Sequence, residues 1–422
     1  MSMDFFAERD LDRFYDYPPV LPDADNLDIW RKKPLAIYLH IPFCLRFCDY
    51  CPYNKYIYNR TIAERYVEAL LTDIRSSTSQ GVLQGYAVVV VYIGGGTPTC
   101  LTDDQIFRII SAVRESFSLK HGTEITIESN PKTCTYKKLK AAVDAGVNRV
   151  SLGVQSFNRD LLEKLNRLHS VEEAVEALHT IREAGITNYN IDLMYRIPGQ
   201  TLTHWTNDLE TALSLECPHI SAFGLNIKPN TRFYKKYIDQ NMHLKNAEKI
   251  ETDIIGHTRF TLNDNGFRQY TIDSWAKSGF ESKYNTYLIE VLAFGAGSHS
   301  HVNRFEFCKA YNPEEYIERI KNNKSPIAFG KRLTVKEEME RYMVIGILHL
   351  TIDTEDFMDR FGIRIEELYP GHIDALIGNG FLKKTGNILS VTEKGKLYIL
   401  NISKSFFGAE YKDILFALKT FS

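Results

Sequence analysis

The chain has 422 residues, 44% of them hydrophobic and 25% charged, with a formal net charge of −2. That is long enough for one large buried core and a smaller one, and too near neutral to attract nucleic acid by charge alone. Without a polybasic stripe, an apolar signal segment or a run long enough to span a bilayer, the expectation is a cytoplasmic protein with no nucleic acid and no membrane among its partners.

Residues 1–33 are acidic, proline-containing and aromatic (Phe5, Phe6, Phe14, Tyr15, Tyr17, Trp30) and predict an extension that packs over the mouth of the domain behind it. From residue 34 short β-branched runs alternate with longer amphipathic ones, the pattern of repeated β-α units. The strands read as Leu35–Ile41, Ala87–Ile93, Glu124–Glu128, Arg149–Val154, Asn188–Met194 and His219–Leu225, and Thr61–Glu64, Thr102–Gln105 and Ser170–Glu173 have the form of capping boxes at helix starts. Six units predict an α/β fold, a partial (β/α)6 barrel over residues 34–300.

The first strand runs into Cys44-Leu-Arg-Phe-Cys48-Asp-Tyr-Cys51. Thiolates crowded on one loop are ligands for a soft metal centre. A C-x3-C-x2-C run supplies three of the four that a cubane iron–sulfur cluster takes, leaving one iron open. Zinc completed by His40 is the alternative, although structural zinc sites favour paired knuckles and no second knuckle follows. Disulfides fit worse: the cysteine count of seven is odd, and Cys100, Cys134, Cys217 and Cys308 are scattered singly.

In parallel β/α architectures chemistry gathers where strands end. Gly94-Gly95-Gly96-Thr97-Pro98 ends the second strand, Glu128 the third and Gln155 the fourth, while Asp192 lies late in the fifth, so these fall with the cysteines on one rim. If the open iron takes an amino-acid-bearing cofactor, the glycines admit its polar groups to the backbone. Glu128 and Asp192 then accept from ribose hydroxyls or an ammonium, and Arg167 clamps a carboxylate.

Residues 301–335 read as a polar connector. Beyond it Thr334–Glu337 caps a helix, further helices follow near Asp353–Phe361, Ile365–Leu368 and Pro370–Asn379, and Gly380–Lys384 with Ile388–Gly395 read as a β-hairpin. Residues 336–422 therefore predict a winged-helix-like C-terminal domain. Its charge is mixed, so it reads as a lid or docking module rather than a DNA reader.

The cysteine triplet after Tyr38-Leu-His-Ile-Pro-Phe, the GGGTP run, Ser151–Phe157, Leu165-Asn-Arg-Leu-His-Ser170, Ile191–Gln200 and Phe294-Gly-Ala-Gly-Ser-His-Ser300 together resemble the radical S-adenosylmethionine enzymes, in the branch of oxygen-independent coproporphyrinogen III oxidase. The resemblance covers most of the chain and keeps motif order. It implies a [4Fe–4S] cluster on Cys44, Cys48 and Cys51 with S-adenosylmethionine on the fourth iron, held by Gly94, Gly95, Thr97, Glu128, Gln155, Arg167 and Asp192, with Tyr38 beside it. Tyr38 reads equally well as a packed strand aromatic. An electron donor such as flavodoxin or ferredoxin is implied as a partner.

Departures within the branch bear on the reaction. Coproporphyrinogen oxidases resemble this loop but carry a fourth cysteine where Tyr53 stands. The related haem chaperones carry His-Asn-x-x-Tyr-Trp where this chain has Tyr284–Ile289. Cys51-Pro-Tyr-Asn-Lys55 and Lys283-Tyr-Asn285 look more like the class C radical methylases. That side of the branch implies two S-adenosylmethionine molecules and transfer of a methyl or methylene group to an sp² carbon of a small-molecule unsaturated acceptor. Anaerobic haem-degrading methyltransferases, porphyrinogen oxidases and a non-catalytic haem chaperone, with His299 or His301 as axial ligands, are the alternatives. Tyr270, Tyr284 and Glu290 fall in a segment read as covering the cleft, each as a structural or substrate-shaping residue. Relatives commonly have glycine at Arg196 and an acid at Lys228. Both cations read as solvated charges or as favouring an anionic acceptor.

Overall fold

The computed structural model describes residues 34–77, 86–238, 247–284 and 289–408, so the extension over residues 1–33 lies outside the described residues. Six parallel strands follow one another: β1 (Pro34–Ile41), β2 (Ala87–Gly95), β3 (Leu119–Ser129), β4 (Arg149–Gln155), β5 (Asn188–Tyr195) and β6 (His219–Gly224). An antiparallel strand, β7 (Ser274–Ala276), pairs with β6 at one edge. At the other, β8 (Glu290–Phe294) lies parallel to β1 and leads to β9 (His299–Val302), β10 (Phe305–Lys309) and β11 (Ile327–Arg332). With Arg268–Gln269 the sheet has twelve strands in an open order, so the six β-α units form a partial barrel.

Side chains alternate along each strand, and the two faces have different work. Leu35, Ile37 and Leu39 of β1 are fully buried in the main core with residues of the helices α1 (Arg60–Ser76), α2 (Asp103–Ser116), α3 (Tyr136–Ala145), α5 (Val171–Glu183) and α6 (Leu202–Ser214), while Leu161 of α4 (Arg159–Lys164) joins a smaller cluster with Met194 and Phe233. The intervening residues face inward and turn polar toward the strand ends: Tyr38 and His40 on β1, Tyr92 and Gly94 on β2, Glu128 on β3, Asp192 on β5. Apolar contact thus holds the helices on, and the inner face is left for chemistry.

The capping boxes at Thr102 and Ser170 form as expected. The one at Thr61 does not. Helix α1 begins at Arg60, and the Asn59 side chain accepts from the Ile62 amide, because an Asn one residue before the helix takes the cap that Thr61, already inside it, cannot. A further helix, α7 (Ala247–Asp264), follows β6. The segment read as a connector, 301–335, instead carries β10, α8 (Pro313–Lys321) and β11, which extend the sheet. Its polar residues alternate with buried Val302, Phe305 and Phe307, a strand pattern hidden by the local charge.

Residues 332–408 belong to a second compact unit. It holds α9 (Val335–Gly346), capped by the Thr334–Glu337 box, then β12 (Thr351–Asp353), α10 (Thr354–Phe361), α11 (Ile365–Leu368) and α12 (His372–Gly378). The hairpin β13 (Leu382–Thr385) and β14 (Ile388–Val391) pairs with β12 into a small antiparallel sheet, followed by α13 (Glu393–Leu397) and α14 (Ile399–Ser405). Tyr342 packs edge-on against Phe357 and Phe361, which meet each other at a tilt. Helices with a wing-like hairpin match the expected C-terminal module.

Candidate functional site

The cysteine loop leaves β1 and returns through a short parallel pairing of Phe43–Cys44 with Tyr56–Ile57. The Tyr58 amide donates to the Cys44 carbonyl at 2.9 Å, closing its base. Asn166, in the left-handed conformation between α4 and α5, donates from Nδ2 to the Phe47 carbonyl at 3.1 Å and to Asp49 at 3.0 Å. The next residue, Arg167, is thereby set against the loop: Nη1 reaches Cys48 Sγ at 3.2 Å and Nη2 donates to the Gly153 carbonyl.

The glycine run approaches from β2. The Gly96 amide donates to Ile41 O and the Thr97 amide to Phe43 O, each at 2.8 Å, and the Thr97 hydroxyl lies 3.7 Å from Cys44 Sγ. A Cβ on Gly96 would sit 2.7 Å from Phe43 O and 3.0 Å from Cys44 Sγ, so only glycine lets the two loops touch. Gly95, at φ +115°, donates its amide to Glu128 Oε2 at 3.1 Å, and Tyr92 donates to Glu128 Oε1 at 2.8 Å. Burial, with the Asp192 carboxylate nearby, pushes Glu128 up to about 7. Burial also lifts Asp192 to about 6, against the hydrogen bond it accepts from Asn190 at 2.7 Å. Gln155 ends β4 at φ +73°, where the register slips, and this turns its amide toward Gly153 and Arg167.

All eleven residues singled out from sequence therefore stand at one end of the sheet, linked through Thr97 to Cys44, Arg167 to Cys48, Gly153 to Gln155, and Gly95 to Glu128. Tyr38 packs as a strand aromatic. Its ring stacks with Tyr92 and Tyr284, and its hydroxyl lies 3.0 Å from His40 Nδ1. His40 Nε2 faces the Asn54 carbonyl, which makes Nε2 the protonated nitrogen and Tyr38 the donor to Nδ1. Sequence reasoning gave His40 only as a zinc alternative, quoted Gly96 and Asn166 inside motifs without a role of their own, and missed Tyr92. For Tyr92 and Gly96 the signal was present, since both flank the named glycines at strand spacing.

Other expectations change. Glu290 pairs with Leu35 at the start of β1, the far end from the cysteines, and accepts from Tyr86 at 2.9 Å. Arg196 is no solvated charge: its side chain is 15% exposed, with Nη1 3.9 Å from the buried Glu251. Its φ of +63° is the conformation that favours glycine, which accounts for the residue expected there from the resemblance. His299 Nε2 lies 3.0 Å from the Tyr311 hydroxyl, and 285–288 lie outside the described residues.

The donor set distinguishes two metal centres. Among the described residues no three of His, Cys, Asp and Glu converge on one point to hold a single ion, and His40 is engaged by Tyr38 and Asn54. Cys44, Cys48 and Cys51 are free thiols on one loop, the donor type and number that a cubane with one open iron takes. Beside them Gln155 Oε1 and Arg167 Nε are buried without a partner, as polar atoms awaiting a ligand are. These features fit a cluster and an amino-acid-bearing cofactor.

Comparison with known proteins agrees with this architecture. The family description "Radical SAM superfamily" matches residues 38–212, and "HemN C-terminal domain" matches residues 333–398. The chain belongs to the radical SAM superfamily, among the proteins that end in a HemN C-terminal domain. The haem chaperone HemW of Bacillus subtilis is 31% identical over 88% of this chain and 99% of that protein; HemW of Escherichia coli K12 is 30% identical over 89% and 99%. The anaerobilin synthase of Escherichia coli O157:H7 is 26% identical over 89% of this chain and 84% of its own length. In fold the chain is similar to the Escherichia coli coproporphyrinogen III oxidase HemN, with a TM-score of 0.76, 24% identity and coverage of 90% and 91%. Among the described residues no helix is long and apolar enough to cross a membrane.

Proposed function

We propose that the chain binds a [4Fe–4S] cluster through Cys44, Cys48 and Cys51 and S-adenosylmethionine at the adjoining rim, and serves as a haem-binding chaperone. The observation that carries the second half is the run of haem chaperones similar to this chain over 99% of their own length. The first half rests on the linked geometry of cysteine loop, glycine run and Arg167. When bound, such a cluster would supply one-electron reduction of the S-adenosylmethionine held beside it. The chain's own residues supply the holding: Gly94 and Gly95 admit a polar group to the backbone, and Arg167 and Gln155 offer their unpaired atoms to an amino-acid end. Glu128 and Asp192 receive hydroxyl or ammonium donors, and Tyr38, Tyr92 and Tyr284 wall the cavity side with stacked rings.

Methyl or methylene transfer from a second S-adenosylmethionine to an unsaturated acceptor is the second reading. It is favoured by Tyr284, which stacks on Tyr92 with centroids 4.3 Å apart where a chaperone-type histidine is expected from the resemblance. One experiment separates the two. Anaerobically reconstituted protein is titrated with haem by absorbance, and S-adenosylmethionine products are followed by mass spectrometry under reductant. The chaperone reading expects one haem per chain, passed to an apo-haemoprotein with little cofactor turnover. Matched 5′-deoxyadenosine and S-adenosylhomocysteine without stoichiometric haem binding would replace it with methyl transfer.

A further inference from the structure

Each cluster cysteine has a polar neighbour. The Thr97 hydroxyl stands by Cys44 and the Arg167 guanidinium by Cys48. At Cys51 the neighbouring polar group is Lys55, a cation outside the cofactor cradle that reaches the backbone carbonyl rather than the sulfur. Its ammonium folds back over the loop and donates to the Cys51 carbonyl at 2.5 Å and the Tyr53 carbonyl at 3.3 Å, and it lies 5.5 Å from the centre of the Phe47 ring. Lys55 is half-buried and has no carboxylate partner among the described residues. The one acid inside the cysteine run, Asp49, is turned to Asn166 and Arg232. Lys55 is therefore a positive charge held over the cysteine loop by two of that loop's own carbonyls.

We propose that Lys55 tunes the cluster, its charge at the Cys51 corner making one-electron reduction easier. Three thiolates on a [4Fe–4S]²⁺ core carry a net charge of about −1, and one electron from an external donor takes it to about −2, with no bond made or broken in that step. A nearby cation favours the more negative state, and in a half-buried loop water screens that attraction only in part. The inference rests on the cluster reading proposed above and asks something further of it. The alternative is a purely structural lysine that staples two carbonyls.

Redox titration of the full chain, reconstituted anaerobically and followed by the electron paramagnetic resonance of the reduced cluster, decides between them. Lys55→Gln keeps an amide that can reach the carbonyls but removes the charge. It is expected to be reduced about tenfold less readily, a shift of about 59 mV to more negative potential. Lys55→Arg should titrate with the wild type, and Arg46→Gln, an exposed cation on the same loop, should shift less than a third as far. A wild-type potential in Lys55→Gln, or equal shifts in Lys55→Gln and Lys55→Arg, overturns the proposal, as does an equal shift in Arg46→Gln. The resonance comes only from assembled cluster, so a variant that loads less iron still reports its potential. If the wild-type protein itself takes up no cluster, it is the cluster reading that fails.

Discussion

Asp73, Lys309 and Tyr316 form one buried polar group in the sheet unit, and Glu128, Asp192, Gln155 and Arg167 form another. In the first, Lys309 and Tyr316 each donate to Asp73 Oδ2 at 2.5 Å, and the ammonium lies 4.3 Å over the Phe294 ring. Its charges are matched, and it ties α1 to β10 and α8. In the second, two carboxyls share a low-dielectric space, and the Arg149 charge only partly offsets the burial of Asp192. Their protons are held more tightly than usual, while Gln155 Oε1 and Arg167 Nε find no partner. Burial alone does not mark a site. Burial with its polar capacity left open does, because a folded chain keeps such a cost only where a ligand repays it.

The sharpest test of that contrast is Cys48→Ser, which removes a proposed cluster ligand and the sulfur facing Arg167. Iron content after reconstitution should fall to near background while thermal unfolding barely moves, since an open site contributes little to stability. Asp73→Ala should do the reverse. Leaving Lys309 buried and unpaired should cost about 3–5 kcal/mol in denaturant unfolding, with cofactor binding intact in the protein that remains folded.

Glu128 gives a pH signature of intermediate size. Its folded value of about 7 lies above the ordinary 4.5, so between those values the native state holds a proton that the unfolded state has released. Stability should therefore fall as pH rises from about 4.5 to 7 and then level off, by roughly 2 kcal/mol allowing for the solvent its carboxylate retains. Glu128→Gln should flatten that slope in unfolding measured across pH; an unchanged slope would mean the carboxyl is not held protonated. Smallest is Tyr66→Phe. The Tyr66 hydroxyl donates to the His40 carbonyl at 2.7 Å and accepts from the Ala296 amide at 2.8 Å, and its ring lies 5.4 Å from that of Tyr316. Its loss should cost about 1–2 kcal/mol, with a slight weakening of S-adenosylmethionine binding measured by calorimetry.

Local signals carried most of the architecture. Six β-α units, the spacing of three cysteines and the strand-end positions of Gly95, Glu128 and Gln155 depend on periodicity and on short motifs, which a chain displays without folding. The same signals misled where neighbours decide. Thr61 has a capping sequence but Asn59 takes the cap, and 301–335 look like a connector until strand pairing buries Val302, Phe305 and Phe307.

What the sequence by itself determined was the set of groups on the rim and the order in which strands present them. Only the tertiary structure decided which of them are finished. Whether Arg167 meets Cys48, whether Arg196 faces water or Glu251, whether Glu128 keeps its proton and whether Lys55 turns back on its own loop all depend on residues far away in the chain. Charge, desolvation and hydrogen bonding act through space, and spatial neighbours are set by how strands register and loops close rather than by the order of residues.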